Sequence, residues 1–363
     1  MRDFGDTSAR KNWGKIALLL MIMGWMSGAA FGQRYSQTNL VSDIPGLAAN
    51  TDANLVNPWG IAFSSSSPFW VADNGKGVST IYDGTGAQPF PLVVTIPPPT
   101  GSNATSAPTG AVFNGTGDFV ISENGMSGPA TFIFVTEDGT ISGWNRNVDL
   151  THAILAVDNS VRGTVYKGLA MAQTSQGKNL LYATNFHDNV IEVYDTNFRL
   201  VNTFTDNSVP PRYAPFGIRN IGGKLYVTFA EQNKAMHDDV SGPNHGFVDV
   251  VNPDDDTIQR LISKQGLNSP WGLAVAPGDF GKFSNDLLVG NFGDGTISAF
   301  DLSSGALLGG VLDASGKTLS INGLWSITFG NGANASQPPD ELFFSAGFND
   351  EADGLFGKLT AIH

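Results

Sequence analysis

The residues in this sequence with the greatest capacity for chemistry are histidines and oxygen-bearing side chains in polar segments that follow short apolar runs. Three of the five histidines fall in these segments. Imidazole nitrogens together with carboxylates favour a transition metal, whereas Asn, Asp and Glu oxygens alone favour Ca²⁺. We therefore predict one divalent cation as a cofactor, either Ca²⁺ or a transition metal. The six residues predicted as its ligands are Glu123, Asn185, His187, Glu231, His237 and His245.

Other chemistries lack the residues that they need. The sequence contains no Cys, which excludes a cysteine nucleophile, and it has no Gly-x-Ser-x-Gly motif. The stretch Gly75-Lys76-Gly77 lacks the strand-to-helix context of a phosphate-binding loop. The predicted ligands themselves do not include two His four residues apart, so mobile polar loops on an acidic surface are the alternative interpretation.

A short sequence motif that recurs six times indicates the strands that position these residues. We call this motif the recurring phrase. In five copies the phrase contains a glycine, and successive glycines are 49 to 58 residues apart. We interpret each copy as an inner strand, with proline setting its entry, an aromatic residue packing between repeats and glycine allowing close approach of the backbone. The copies are Asn57–Ala62, Ala107–Val112, Tyr166–Ala170, Ala214–Ile218, Ser269–Ala274 and Leu324–Ile327.

Each phrase is followed by further short strands. After the second strand come a third strand, in which apolar and polar residues alternate, and a more polar fourth strand. Four strands in a repeat of about 50 residues are typical of a propeller blade. The sequence therefore predicts an all-β, six-bladed β-propeller with four-stranded blades. The predicted second strands are Phe69–Ala72, Asp118–Ser122, Leu180–Thr184, Lys224–Thr228, Asp286–Gly290 and Glu341–Ser345.

The two ends of the chain are predicted to complete the last blade together. The chain ends just after the third strand of the sixth repeat, and Thr38–Asp43 near the other end resembles the missing fourth strand. Pairing of these ends would close the ring and leave no exposed seam. Two separate β domains are the alternative, which the even spacing of the repeats disfavours.

Composition supports a folded β-rich protein. Hydrophobic residues make up 41% of the 363 residues, which is enough for a large core, and 44 glycines suit many tight turns. The formal net charge of −13 repels a phosphate backbone, so we expect no nucleic-acid partner.

The first 32 residues have the order of a secretory signal peptide. Basic residues between Arg2 and Lys15 precede an apolar run, Ile16 to Met26, and small residues follow through Gly32. A retained membrane anchor is the alternative, and it needs about 20 apolar residues. We expect cleavage after Gly32, leaving residues 33–363 as a single periplasmic or secreted propeller domain with no membrane span.

The opening Tyr35–Asp43 segment, the Asn57–Ile61 phrase and the Gly-rich last repeat resemble a bacterial family of exported six-bladed β-propellers of uncharacterised function. More remotely, the repeats are similar to those of NHL proteins and of calcium-dependent gluconolactonases. The lactonase resemblance implies an axial Ca²⁺ held by Glu, Asp and Asn, and Asn57, Asn268 and Asn322 precede inner strands where such enzymes place ligands. No Glu precedes Trp59 as it does in that group.

Two functions follow as expectations. The first is an exported binding or scaffold protein of the cell envelope or extracellular space, with a protein, glycan or small-molecule ligand on the loop face. The second is a metal-dependent hydrolase or lyase of the lactonase type acting at the same face. The fold alone does not separate them, because propellers support many activities.

Overall fold

The computed structural model describes residues 33–332 and 336–362, almost all of them in β-strands and turns. The predicted signal peptide, residues 1–32, lies outside the described residues. Short 3-10 helical turns occur at Asn74–Lys76, Ser160–Arg162 and Gly281–Phe283. Within residues 33–332 and 336–362, no helix has the length and apolar character that crossing a bilayer requires.

The predicted six-bladed β-propeller is confirmed, and its first three blades are four-stranded antiparallel sheets. The chain begins with β1 (Arg34–Ser42) and β2 (Asn50–Thr51). Blade 1 contains β3 (Pro58–Ala62), β4 (Phe69–Asp73), β5 (Val78–Tyr82) and β6 (Val94–Thr95). Blade 2 contains β7 (Pro108–Phe113), β10 (Phe132–Thr136), β11 (Thr140–Trp144) and β12 (Ile154–Asp158), with an inserted hairpin of β8 (Val120–Glu123) and β9 (Met126–Pro129). Blade 3 contains β13 (Tyr166–Gln173), β14 (Asn179–Asn185), β15 (Val190–Tyr194) and β16 (Leu200–Phe204).

The last three blades repeat this order, and the sixth takes its outer strand from the N-terminal end of the described chain. Blade 4 contains β17 (Tyr213–Ile221), β18 (Lys224–Glu231), β19 (Phe247–Val251) and β20 (Ile258–Ser263). Blade 5 contains β21 (Pro270–Val275), β22 (Leu287–Asn291), β23 (Ile297–Phe300) and β24 (Leu307–Gly310), followed by the short β25 (Leu312–Asp313). Blade 6 contains β26 (Leu324–Phe329), β27 (Leu342–Phe348), β28 (Asp353–Ile362) and β1.

The second strand of blade 2 differs from the prediction. The segment Asp118–Ser122 was expected there, but β8 pairs only with β9, and β10 lies next to the inner strand β7. All five residues of β10 are buried, as a strand packed between two neighbouring blades requires, whereas two of the four residues of β8 are exposed. The prediction of Asp118–Ser122 is therefore wrong, because an inserted hairpin has the same local pattern as a blade strand.

Burial decreases from the middle of each blade toward its outer edge. Every residue of β4 is buried, whereas four of the five residues of β16 are exposed. A middle strand contacts a neighbouring blade on each face and so needs apolar side chains throughout. This gradient explains why the fourth strand of each repeat is more polar in sequence.

The strand β1 pairs antiparallel with β28 and lies at the outer side of blade 6. Its Tyr35 side chain is fully buried and donates a hydrogen bond from its hydroxyl to the Phe280 carbonyl at 3.0 Å. The buried Leu40 and Val41 pack against aromatic residues of blades 1 and 6. How much this pairing contributes to closing the ring and to stability stays a prediction.

The glycines of the recurring phrase lie where neighbouring inner strands come closest. A Cβ atom built on Gly60 would lie 2.5 Å from the Thr109 carbonyl oxygen, and one built on Gly217 would lie 2.1 Å from the Trp271 carbonyl oxygen. Real Cβ atoms do not approach backbone atoms this closely. The phrase therefore contains glycine because each inner strand packs against the backbone of the next one.

We predict that Gly217→Ala destabilises the fold by at least about 2 kcal/mol, because the added methyl group overlaps a backbone oxygen that has no room to move. The measurement is urea unfolding followed by tryptophan fluorescence. The matched control is Gly117→Ala, since Gly117 is exposed and has no atom within 4 Å of the added carbon. Equal stability of the two variants would contradict the close-approach explanation.

Candidate functional site

One repeat position lies near the start of the inner strand in every blade. The residue directly before the repeat glycine, or before Ser326 in blade 6, is aromatic in four blades, threonine in one and lysine in one. All six are buried. They are Trp59, Thr109, Lys167, Phe216, Trp271 and Trp325.

The four aromatic members form a cluster that we call the aromatic plug. Trp59 stacks on Trp325 with ring centres 3.3 Å apart, and Trp271 meets both indoles edge-on at 6.1 and 5.9 Å. Phe216 contacts Trp325 with ring centres 5.9 Å apart. The plug fills the channel near the start of the inner strands, and it forms the floor of the face where the loops between second and third strands lie.

Lys167 replaces an aromatic residue at this position in blade 3. Its ammonium group donates a hydrogen bond to Glu137 and lies 5.1 Å from the centre of the Trp59 ring and 5.8 Å from that of Phe186. Its carbonyl accepts a hydrogen bond from the Trp271 indole nitrogen at 2.9 Å. A carboxylate and two ring faces therefore stabilise a cation at the floor of this face.

Glu137 connects three blades. It lies in the turn between β10 and β11, and its second carboxylate oxygen accepts a hydrogen bond from the Asn74 amide at 2.9 Å. The Asn74 side-chain oxygen accepts in turn from the Asn57 amide at 3.2 Å, and the Asn57 oxygen accepts from the Trp325 indole nitrogen at 3.1 Å. This chain of hydrogen bonds holds the Glu137 carboxylate above the aromatic plug.

His237 and Asp238 come from the long connection between β18 and β19. The His237 Nδ1 and Asp238 Oδ1 atoms are 2.7 Å apart, and this hydrogen bond raises the pKa of His237 and lowers the pKa of Asp238. The Lys167 ammonium lies 3.9 Å from the same Asp238 oxygen. One ligand atom from each of Glu137, His237 and Asp238 lies within 4.8 Å of the other two, which is close enough to hold a metal ion.

Asp239 and Glu351 add two carboxylates to this group. Burial is the main cause that raises the pKa of Asp239, and it also raises the pKa of Glu351 to about 7, with repulsion from Glu137 as the next cause. We call the set Glu137, Lys167, His237, Asp238, Asp239 and Glu351 the acidic mouth. Four carboxylates there face one lysine and one histidine, so the acidic mouth favours an additional positive charge.

Glu351 is held by an uncommon backbone conformation. Asn349, Asp350 and Glu351 have φ angles of 53°, 54° and 65°, in the left-handed region that favours glycine. Each non-glycine residue there costs roughly 1 kcal/mol. Asn349 donates a hydrogen bond to Asp353 at 2.7 Å, which supports this turn.

Of the six ligands predicted from the sequence, His237 belongs to the acidic mouth. Two others, Glu231 and His245, lie 3.3 Å from one another, and Glu231 also pairs with Arg212 at 3.4 Å. The His245 Nδ1 atom is 3.1 Å from the Val240 carbonyl oxygen. These two residues form a separate pair within the same connection.

The remaining three predicted ligands lie in blades 2 and 3. Asn185 is fully buried, and its amide donates to Asp188 at 2.8 Å and to Glu192 at 3.0 Å. His187 is half-buried beside it. Glu123 ends strand β8 in the inserted hairpin. The structure therefore does not gather the six predicted residues into one group.

The sequence interpretation missed Glu137 and Lys167, and each omission has a cause. The mistaken second strand of blade 2 placed the loop of interest at Glu123, whereas the loop between the true second and third strands begins at Glu137. The signal for Lys167 was present in the recurring phrase. A lysine at a position that is aromatic in four of six copies indicates a charge placed among channel aromatics.

The fold and the acidic mouth define a six-bladed β-propeller with a polar site at one end of its channel.

The chain belongs to a family that includes proteins of Acanthamoeba polyphaga mimivirus. It is 35% identical over 331 residues to uncharacterized protein L690, covering 88% of this chain and 84% of that protein. It is 32% identical over 343 residues to uncharacterized protein R648, covering 91% and 82%. No family model matches the sequence. The predicted membership of an exported bacterial family is not supported by these viral relatives and stays a prediction.

Solved structures with the same fold include enzymes. Virginiamycin B lyase from Staphylococcus aureus superposes with a TM-score of 0.51 at 16% identity, covering 91% of this chain and all of that one. A luciferin-regenerating enzyme superposes with a TM-score of 0.51 at 13% identity, covering 91% and 95%. At these identities the likeness shows the fold, in agreement with the predicted propeller relatives.

The raised pKa of Glu351 predicts a pH dependence of stability. Because the folded state holds the proton more tightly than the unfolded state, the free energy of unfolding should fall as pH rises from about 4.5 to 7 and then level off. The partly exposed side chain limits the fall to about 1–2 kcal/mol. Urea unfolding at several pH values with a chelator present measures this, and Glu351→Gln should remove that part of the pH dependence. Identical profiles of the two proteins would refute the assignment.

Proposed function

We propose that this protein is a ligand-binding propeller whose acidic mouth binds a divalent cation through Glu137, His237 and Asp238. The observation that carries the proposal is the approach of their ligand atoms to within 4.8 Å of one another. These residues come from two blades, and blade 3 supplies the neighbouring Lys167. These three residues lie over the aromatic plug, and we therefore propose them as the cation-binding point of the loop face.

The donor set favours a transition metal over Ca²⁺. An imidazole and two carboxylates are typical ligands of Zn²⁺ or Mn²⁺, whereas Ca²⁺ takes six to eight oxygens. His237 is already oriented by its hydrogen bond to Asp238. A divalent ion would also neutralise carboxylates that a single lysine and a single histidine leave unbalanced.

Lys167 acts as an internal cation that the metal ion would displace. Its ammonium group lies between the two carboxylates, bonded to Glu137 and 3.9 Å from Asp238. Removal of that charge leaves the carboxylates free for a metal ion. This competition would make the metal affinity depend on a residue that is not itself a ligand.

The biological setting belongs to the same proposal. The signal-like residues 1–32 support export to the periplasm or the extracellular space, where a bound metal would present the loop face to a protein, glycan or small-molecule ligand. The net charge of −13 opposes binding to nucleic acid. We place the ligand on this face because the long connection between β18 and β19 rims it.

We predict that His237→Ala and Asp238→Asn each weaken binding of Zn²⁺ or Mn²⁺ at least about tenfold, whereas Lys167→Met tightens it. The measurements are elemental analysis of the purified protein and calorimetric titration with Zn²⁺, Mn²⁺ and Ca²⁺. The matched control is His245→Ala, which removes a histidine from the same connection that pairs instead with Glu231. His187→Ala is a second control in blade 3.

Two results would contradict the metal site. One is the absence of metal binding by the unaltered protein, and the other is an equal loss of affinity in His237→Ala and His245→Ala. Circular dichroism of each variant shows whether the fold is kept.

A metal-dependent hydrolase or lyase is the second candidate, and Glu351 is the observation that favours it. A carboxyl group whose pKa is about 7 is suited to transfer protons near neutral pH, and Glu351 interacts electrostatically with the proposed metal ligands Glu137 and Asp238. Virginiamycin B lyase has the same fold, which shows that a propeller of this size can support lyase chemistry.

We predict that, if this candidate is correct, the Zn²⁺- or Mn²⁺-loaded protein opens virginiamycin B or simple lactones with a pH profile that has one limb near pH 7. Glu351→Gln should abolish that limb while leaving metal affinity within about threefold. Chromatographic assay of product formation measures the rate. No turnover of either substrate class would reject the catalytic candidate and leave the binding function in place.

A further inference from the structure

A cavity lies in the channel beyond the aromatic plug. The inner strands start at the acidic mouth, and residues further along them line a cavity of about 310 Å³. Its surface is about half polar and half apolar; the apolar side chains include Ile61, Leu169, Ile218 and Leu273, and Trp271 of the plug forms part of the wall. We call it the lower cavity.

Arg219 is the charged side chain that lines this cavity within the described residues. It lies on the inner strand β17 of blade 4 and reaches past blade 5 to β26 of blade 6. There its guanidinium donates to the Ile327 carbonyl at 2.9 Å and to the Thr328 hydroxyl at 2.7 Å. Two of its five N–H groups are used in this way, and three remain for other acceptors.

No carboxylate neutralises Arg219 in the described part of the chain. Both of its hydrogen bonds go to uncharged oxygens. Burial lowers its pKa to about 10, with no opposing effect from a neighbouring anion. Arg219 is half-buried, and a bound anion would supply the charged partner that the described residues do not provide.

The shape and lining of the lower cavity define the anion. Its volume lies at the lower end of the range for small-molecule sites, about 300 to 1,000 Å³. A guanidinium recognises the planar carboxylate group through two parallel hydrogen bonds. The apolar side chains Ile61, Leu169, Ile218 and Leu273 provide a surface for a short hydrocarbon body attached to that group.

We propose that the lower cavity binds a small amphiphilic carboxylate, with the carboxylate on Arg219 and the hydrocarbon part against the apolar side chains of the inner strands. This site is distinct from the acidic mouth, because the aromatic plug lies between them. The two sites have opposite charge preferences. One end of the channel takes a cation and the other takes an organic anion.

The test uses hexanoate as the probe and hexanamide as its uncharged counterpart. Calorimetric titration and saturation-transfer NMR of the full protein measure both. We expect hexanoate to bind and hexanamide to bind at least about tenfold more weakly. Arg219→Met should weaken hexanoate binding at least about tenfold. The control Arg212→Met, just before β17 and paired with Glu231, should leave it unchanged.

Three results would overturn the proposal: no hexanoate binding by the unaltered protein, equal binding of hexanamide, or undiminished binding by folded Arg219→Met. If Arg219→Met does not fold, Arg219→Lys is the second variant, because it keeps the positive charge but cannot donate two parallel hydrogen bonds to a carboxylate. A hexanoate affinity equal to that of the unaltered protein would then count against Arg219. These outcomes do not depend on metal binding, so the two proposals fail separately.

Discussion

Close contact between the backbones of neighbouring inner strands is the constraint on which the rest of this propeller depends. A methyl carbon added at Gly217 would lie 2.1 Å from the Trp271 carbonyl oxygen, and Gly110 and Gly272 show the same approach to the next blade. This packing sets the width of the channel. A narrow channel in turn brings the four aromatic members of this position, and Lys167, into contact across blades.

The aromatic plug is the direct result of that geometry. Three indoles and Phe216 pack together in a buried cluster that lies between the acidic mouth and the lower cavity. At one end the plug supports Lys167, whose ammonium lies over Trp59 and pairs with Glu137. At the other end the inner strands enclose the lower cavity beside Arg219. One packing rule thus produces two sites with opposite electrostatic character.

Much of the fold was predictable because its signals are local and repeated. The recurring phrase located all six inner strands, and the predicted second strand Lys224–Thr228 begins where β18 begins, at Lys224. The candidate site was less predictable. The sequence of the hairpin β8–β9 has the pattern of a blade strand. The predicted loop of blade 2 was therefore placed at Glu123 instead of Glu137. Only pairing of β10 with β7 separates the two possibilities.

The sequence by itself determined the all-β class, the number of repeats and the acidic character of the protein, because strand periodicity, glycine spacing and charge are properties of short segments or of composition. Only the tertiary structure decided that Lys167 meets Glu137, 30 residues away, and that both approach His237 and Asp238 from blade 4. Such a group depends on the angles between blades and on the distance of each loop from the channel axis. Those quantities arise when six blades pack around one channel, and no single repeat contains them.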